Sequence, residues 1–230
     1  EIILKEFYKG KRVFITGHTG FKGSWLALIL TGWGAKVKGY ALPPSDESLF
    51  NLLDLSLKID NVEGDIRDSK KLNKALSDFE PDVVIHLAAQ ALVKDSYDNP
   101  ENTYETNVLG SLNILSAVDK CPSVKSLVYI TSDKCYENLE WVWGYREHDR
   151  LGGYDPYSAS KACAELVFSS YVRSYWSNKR NFSASARAGN VIGGGDYSAN
   201  RIIPDCVRAS LEGKNVFLRN PNATRPWQHV

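Results

Sequence analysis

Tyr157 and Lys161, in YSASK, stand four residues apart, the spacing that puts two side chains on one face of a helix. A phenol titrates near about 10 in water, too high for a base at neutral pH, but an ammonium one turn away favours the phenolate and draws that value down. Such a tyrosine can take the proton of an alcohol while hydride leaves the same carbon. Far upstream, GHTGFKGSWL carries Gly17, Gly20 and Gly23 at every third position, straight after the apolar run VFIT. Glycines so placed let a strand-to-helix turn close tightly and let a pyrophosphate approach bare backbone at a helix N-terminus, as a nicotinamide dinucleotide would. Each pattern alone has a plainer reading, a surface Tyr/Lys pair or a tight turn without ligand. Together, with ITSDK between them, they point to NAD-dependent chemistry on an alcohol.

The elements that must hold these residues alternate along the chain. Apolar, β-branched runs predict strands over 11–16, 36–41, 59–63 with the GDI that follows, 82–87, 125–131 and 183–188. Segments 22–33, 69–79, 99–119, 157–178 and 201–213 read as helices. Strand and helix in alternation imply parallel pairing with right-handed crossovers, hence an α/β fold with a doubly wound parallel sheet of Rossmann type. The glycine-rich GNVIGGGDYSAN marks the boundary between an NAD-binding domain over 1–188 and the start of a smaller substrate lobe over 189–230. The chain stops at RPWQHV without a helix stop or polar tail, so that lobe is expected to be incomplete.

Around the glycines, His18 is expected to lie exposed beside the phosphates, and Phe21 belongs to the same turn. Asp65 and Ile66, in GDIRD, follow the third strand where the adenine amino group is expected to be met; the plainer reading of Asp65 is a cap of the 69–79 helix. The second strand ends in GYALPP, without the acidic residue that grips the adenine ribose diol. Asp46 and Glu47 come late and are expected to face solvent, and Lys36 and Lys38 make no case for a 2′-phosphate, so NADP stays open beside NAD.

Lys and Arg number 28 against 27 Asp and Glu, a net charge of +1 that excludes a polyanion-binding surface and with it a nucleic-acid partner. The four cysteines, Cys121, Cys135, Cys163 and Cys206, contain no CxxC pair and predict neither zinc nor a disulfide framework; Cys135 and Cys163 read as small buried apolar residues. With scattered histidines no metal is expected. The opening EIILKEFYKGKRV lacks the layout of a secretion signal, and no apolar run reaches spanning length, so a cytoplasmic protein is expected, not bound to membrane.

GHTGFKGSWL, TSDKCYEN, WGYRE, GGYDPYSASKACAE, RAGNVIGGGD and RPWQHV together resemble the CDP-glucose 4,6-dehydratase family of the extended short-chain dehydrogenase/reductases, across essentially the whole chain. That resemblance implies NAD as cofactor and CDP-glucose as substrate, and it assigns roles. Ser132 matches the residue that hydrogen-bonds the sugar 4-hydroxyl beside Tyr157 and Lys161. Asp133 and Lys134 fall where related dehydratases carry Asp-Glu; Asp133 is the implied acid for the departing 6-hydroxyl, a role that asks for burial, and Lys134 the implied base at C5. Leu87, Ala88 and Ala89 match the fourth-strand turn against the cofactor, and Asn107 the helix asparagine that supports the site. Asn190 and Arg225 match contacts to the nucleotide diphosphate, with Arg201 on the nucleotide side. A 4-epimerase or reductase on the same scaffold needs neither ionisable residue at 133 and 134. Trp141 and Trp143 are expected to pack in a loop over the site rather than stack on cytosine. The resemblance further implies a homodimer through helices 99–119 and 157–178, with a tetramer as the alternative.

Overall fold

The structure, a computed structural model, describes residues 2–177, 183–218 and 220–230. Its main sheet has six parallel strands, β1 (Arg12–Thr16), β2 (Lys36–Ala41), β3 (Asp60–Glu63), β4 (Val83–His86), β5 (Ser126–Ile130) and β6 (Ser183–Ala186), in the order β3-β2-β1-β4-β5-β6. The order reverses between β1 and β4, which opens a crevice at the carboxyl ends of those strands, where ligands bind in such folds.

Alternation along the strands assigns the two faces. Phe14, Val84, Leu127 and Tyr129 point to one side, where α4 (Ser69–Phe79), α7 (Ser111–Asp119) and α8 (Pro156–Tyr171) cover them with Leu72, Leu76, Ile114, Leu115, Ala164 and Phe168. Val13, Ile15, Val83 and Ile85 point to the other, under Ala27 and Leu30 of α2 (Phe21–Gly32) and Phe50 of α3 (Leu49–Leu52). β1 and β4 are buried on both faces, and for that reason read as unbroken apolar runs.

The helix expected over 99–119 is α6 (Pro100–Tyr104), then a π-helical stretch (Glu105–Gly110), then α7. The helix expected over 157–178 is α8 followed by a second π stretch (Val172–Trp176); residue 178 lies outside the described residues. Trp176 ends that stretch buried, its Nε1 donating to Asp119 Oδ1 of α7 at 2.8 Å. β3 stops before GDI and β6 at Ala186. Besides α3, the elements α1 (Ile2–Tyr8), α5 (Val93–Asp98) and a separate parallel pair, β7 (Asn190–Ile192) with β8 (Trp227–His229), come without a sequence expectation. α9 (Ile202–Leu211) lies between the two strands of that pair.

Candidate active site

The glycine turn is built by close approach. Gly17 has φ +77°, and a Cβ there would stand 2.7 Å from Ala88 N; a Cβ on Gly23 would stand 2.1 Å from Gly17 O. The turn therefore rests on Leu87 and Ala88, just before Ala89, tied by Leu87 N to Thr16 O at 3.1 Å and Ala88 N to Thr16 Oγ1 at 3.2 Å. Gly20 occupies the N-cap of α2 and offers no side chain to the first amides, which leaves them free for an anion. Bare backbone at a helix N-terminus over the crevice fits a dinucleotide pyrophosphate.

His18 is fully buried, contrary to expectation. Its Nε2 lies 2.6 Å from Asn61 Oδ1, its ring meets Phe50 edge-on at 5.3 Å, and burial pushes its pKa down. Room for the ring exists because position 39 of β2 is glycine: a Cβ there would stand 2.2 Å from His18 Cγ.

Asp65 is committed locally. Arg67 grips its carboxylate through Nε at 2.9 Å and Nη2 at 2.6 Å, and that bond holds its pKa below the usual carboxylate range. Asp68, not Asp65, caps α4, accepting from Lys71 N at 3.0 Å. Ile66 buries its side chain in the core against Gly110, and its carbonyl accepts from Asn113 Nδ2 at 3.0 Å. Asp46 and Glu47 are exposed as expected, and Lys38 is paired with Asp60 at 2.9 Å.

Asp155 opens α8, accepting from Ser158 N at 2.9 Å, with Pro156 at the first helical position. Tyr157, Lys161 and Glu165 then follow at four-residue steps on one buried face. The Lys161 Nζ stands 5.9 Å from the Tyr157 ring centroid. Here the direction expected for the phenol is corrected. Burial pushes the Tyr157 pKa up, and the groups that oppose this are the hydrogen bond with Ser132 and the Arg201 cation, ahead of any effect of Lys161. Lys161 itself is pushed down to about 8, first by burial and then by the charge of Lys22, against the pull of Glu165.

Ser132, past the end of β5, donates to Asp133 Oδ1 at 3.1 Å and accepts from Lys134 N at 3.2 Å. Asp133 N donates to Ala188 O at 3.1 Å, and Asp133 Oδ2 meets Lys134 Nζ at 3.6 Å. The Lys134 side chain is 35% exposed and that of Asp133 27%, so the burial asked of Asp133 is partial. Asn107 is buried in the first π stretch, accepting from Gln90 N at 2.8 Å and donating to Gln90 O at 3.0 Å and Ser160 Oγ at 2.9 Å. It thereby ties the turn after β4 to the helix of Tyr157.

A second buried constellation escaped the sequence. Glu165 accepts from Thr131 Oγ1, from Ser185 Oγ at 3.0 Å and from Arg187 Nη2 at 2.7 Å. Arg187 Nη1 also donates to Tyr136 Oη at 2.8 Å and Glu147 O at 2.9 Å, and the guanidinium lies 5.0 Å from the Tyr136 ring centroid. The catalytic helix, the ends of β5 and β6 and the loop after Lys134 are thus joined by one ion pair. A glutamate at the eighth position after Tyr157 was the available signal; its cation lies 22 residues further on.

On the substrate side, Asn190 is in β7, its N donating to Pro226 O at 3.1 Å, and Arg225 is exposed beside that pair. Arg201 bonds Asp196 at 3.0 Å and reaches Tyr157 electrostatically. Ser132, Asp133, Lys134, Tyr157, Lys161 and Arg201 form one cluster; Asp65 and Ile66 stand apart from it, near the far strands. Trp141 packs on Tyr145 at 5.4 Å, whereas Trp143 is exposed. Cys135 is buried as expected, but Cys163 is half-buried at the surface. Among the described residues no His, Cys, Asp and Glu gather as a metal site, and no helix is long and apolar enough to cross a membrane.

Comparison with known proteins matches residues 14–230 to the family described as GDP-mannose 4,6 dehydratase. The chain is 53% identical to the CDP-glucose 4,6-dehydratase of Salmonella typhimurium over 236 aligned residues, covering all of this chain and 66% of that one. It superposes with a TM-score of 0.83 on a double mutant of DesIV, the dTDP-glucose 4,6-dehydratase of Streptomyces venezuelae, solved with NAD bound; identity is 26%, covering 95% of this chain and 68% of that one. A UDP-glucose 4-epimerase of Thermus thermophilus in complex with NAD is similar at TM-score 0.80 and 28% identity, covering 95% and 70%. The chain spans about two thirds or less of the length of the curated relatives it matches, from 58% to 66% for three of them.

Proposed function

The chain belongs to the GDP-mannose 4,6 dehydratase family, and from that premise we propose that it acts as an NAD-dependent 4,6-dehydratase that converts CDP-glucose to CDP-4-dehydro-6-deoxyglucose. The observation that carries the reading is the Ser132–Asp133–Lys134 turn facing Tyr157: Ser132 and Asp133 act on the phenol and Lys134 stands beside Asp133, two ionisable groups of which an epimerase needs neither. Identity of 53% to a CDP-glucose 4,6-dehydratase supports the nucleotide.

NAD, when bound on the glycine turn, supplies a hydride acceptor at the sugar C4 and returns that hydride at C6. Gly17, Gly20 and Gly23 would hold its pyrophosphate, with Phe21 beside them and Leu87, Ala88 and Ala89 beneath. His18 contributes from below, fixing the turn. Ser132 orients the 4-hydroxyl and Tyr157 accepts its proton, with Lys161 beneath to balance the phenolate. Once C4 is a ketone, the C5 proton is acidic. Lys134 in its neutral amine form removes it, and Asp133 in its protonated form gives a proton to the 6-hydroxyl, which leaves as water. Asn190 and Arg225 would meet the nucleotide diphosphate, with Arg201 on the nucleotide side. Residues 1–188 form the cofactor domain and 189–230 begin the substrate lobe, in a cytoplasmic protein without a nucleic-acid or membrane partner.

We place the homodimer contact on α6, the first π stretch, α7 and α8. Leu109, Leu112 and Leu166 are exposed there, and Glu101, Tyr104, Glu105, Val108, Leu109 and Cys163 line a groove of ≈ 450 Å³. Incubation of the full-length protein with CDP-glucose deuterated at C4 tests the reaction. Loss of water with the deuterium at C6 is expected; inversion at C4 without change of mass would replace the dehydratase by an epimerase.

A further inference from the structure

Asp133 and Lys134 sit on one tight helical turn, Asp133–Cys135, which Ser132 caps and which no long element carries. What sets such a turn in place comes from its flanks, and both flanks are gripped by one ion pair. On the near side Thr131 Oγ1 donates to Glu165 Oε1 of α8. On the far side Tyr136 Oη accepts from Arg187 Nη1 at 2.8 Å, its ring centroid 5.0 Å from the guanidinium. Glu165 Oε2 and Arg187 Nη2 join the two sides at 2.7 Å. Each member is anchored outside the turn: Glu165 stands one helical turn beyond Lys161, and Arg187 directly follows Ala186, the β6 partner of Ile130. Arg187 Nη1 also reaches Glu147 O at 2.9 Å, and Gly152 N donates to Cys135 O at 2.9 Å, so the chain that leaves the turn is held as well. An apolar pair of the same volume would pack α8 on the sheet equally well, whereas a carboxylate and a guanidinium can each hold a hydroxyl.

We propose that Glu165 and Arg187 are positioning residues for the loss of water: by holding Thr131 and Tyr136 on either side of the turn, they set Asp133 and Lys134 in place as a clamp would. The role in sugar chemistry rests on the dehydratase reading above. The groups of the first step, oxidation at C4, are fixed by other means. Tyr157 and Lys161 stand on α8, where Asp155 accepts from Ser158 N at 2.9 Å and Asn107 reaches Ser160 Oγ at 2.9 Å. Ser132 follows Thr131, whose N donates to Ala186 O at 2.9 Å and continues the pairing of β5 with β6. Asp133 and Lys134 lie further along, toward Tyr136; Ser132 bonds both, and Asp133 N donates to Ala188 O at 3.1 Å. Release of Tyr136 therefore loosens the acid and the base more than the hydroxyl that orients the sugar.

The test uses the full-length protein and first reads the turn without substrate, by hydrogen exchange at the amides of Asp133, Lys134 and Cys135. Tyr136→Phe removes a single hydroxyl and is expected to speed that exchange about fivefold or more, with the amides inside α8 within about twofold of wild type. Arg187→Lys, which keeps a charge opposite Glu165 but loses the planar fork, is expected to follow it. Unchanged exchange at the turn in Tyr136→Phe overturns the clamp, whatever the substrate. With CDP-glucose and NAD+, Tyr136→Phe is expected to oxidise C4 within about twofold of the wild-type rate, read from the rise in reduced-nicotinamide absorbance. Its kcat is expected to fall about tenfold or more, leaving the enzyme with its cofactor reduced during turnover. Equal slowing of both steps, or an intact kcat, would refute the assignment to the loss of water. Wild-type protein that neither reduces NAD+ nor releases water would instead refute the dehydratase reading, and the exchange would still judge the clamp.

Discussion

Replacing Glu165 by glutamine removes one charge from the ion pair beneath the catalytic helix and changes little else in shape. The Glu165 side chain is 4% exposed and that of Arg187 18%, so the pair is shielded from solvent at both ends. Breaking a buried pair by removing one partner costs about 3–5 kcal/mol, because the other charge stays behind. Arg187 keeps its bonds to Tyr136 Oη and Glu147 O, and the new amide can still accept from Thr131 through its oxygen while its nitrogen donates to Ser185 Oγ, which puts the expectation at the low end, about 3 kcal/mol. For a chain of this size that lowers the melting temperature by roughly 6–12 °C. The assay is a double-mutant cycle, Glu165→Gln, Arg187→Met and both together, followed by urea and thermal unfolding. A coupling energy of about 2 kcal/mol or more is expected. Coupling near zero, with Glu165→Gln costing less than about 1 kcal/mol, would refute the claim that this pair fastens α8 to β5 and β6.

Tyr157→Phe is expected to lower kcat by about a thousandfold while NADH affinity, read by fluorescence, stays within about twofold; substantial turnover would remove Tyr157 as the proton acceptor. Gly23→Ala drives a methyl into Gly17 O, an overpacking cost of about 1–3 kcal/mol, so NADH should bind roughly 10- to 100-fold more weakly, and undiminished binding would contradict the turn described above. His86 titrates near about 3 when folded and about 6.5 when unfolded. Between those values the unfolded chain holds a proton that the folded one does not, so stability falls as pH drops, by about 2 kcal/mol from pH 6.5 to 5. His86→Gln should flatten that part of the unfolding free energy measured against pH, and an unchanged slope would place the acid sensitivity elsewhere. Leu166→Asp should move the sedimentation of the full-length protein from dimer to monomer; an unaffected dimer would shift the contact to another face.

The sheet was legible because its strands are buried on one or both faces and therefore carry uninterrupted or alternating apolar residues, as in VFIT and VVIH. The π stretches were not, since Glu105–Gly110 has the same apolar spacing as the helix on either side and the extra residue leaves no compositional mark. β7 and β8 are three residues each, too short for a period to register. The glycine turn and the Tyr157/Lys161 pair are local in sequence and were found as such. Whether His18 points in or out depends on Gly39 and Asn61, which lie on other strands. The direction of the Tyr157 shift was misjudged for a related reason: a helical spacing fixes which charge is near, whereas the depth of burial is set by elements the spacing does not describe.

The contact of His18 with Gly39 binds two distant positions into one unit of variation. Any side chain at 39 requires that the ring at 18 leave first, and a smaller residue at 18 opens a void beside Phe50 that a residue larger than glycine at 39 could refill. In a lineage of such proteins the two sites should change in concert or stay fixed together. A graft of this glycine turn onto another α/β scaffold should likewise succeed only where the second strand offers the missing Cβ at the matching position.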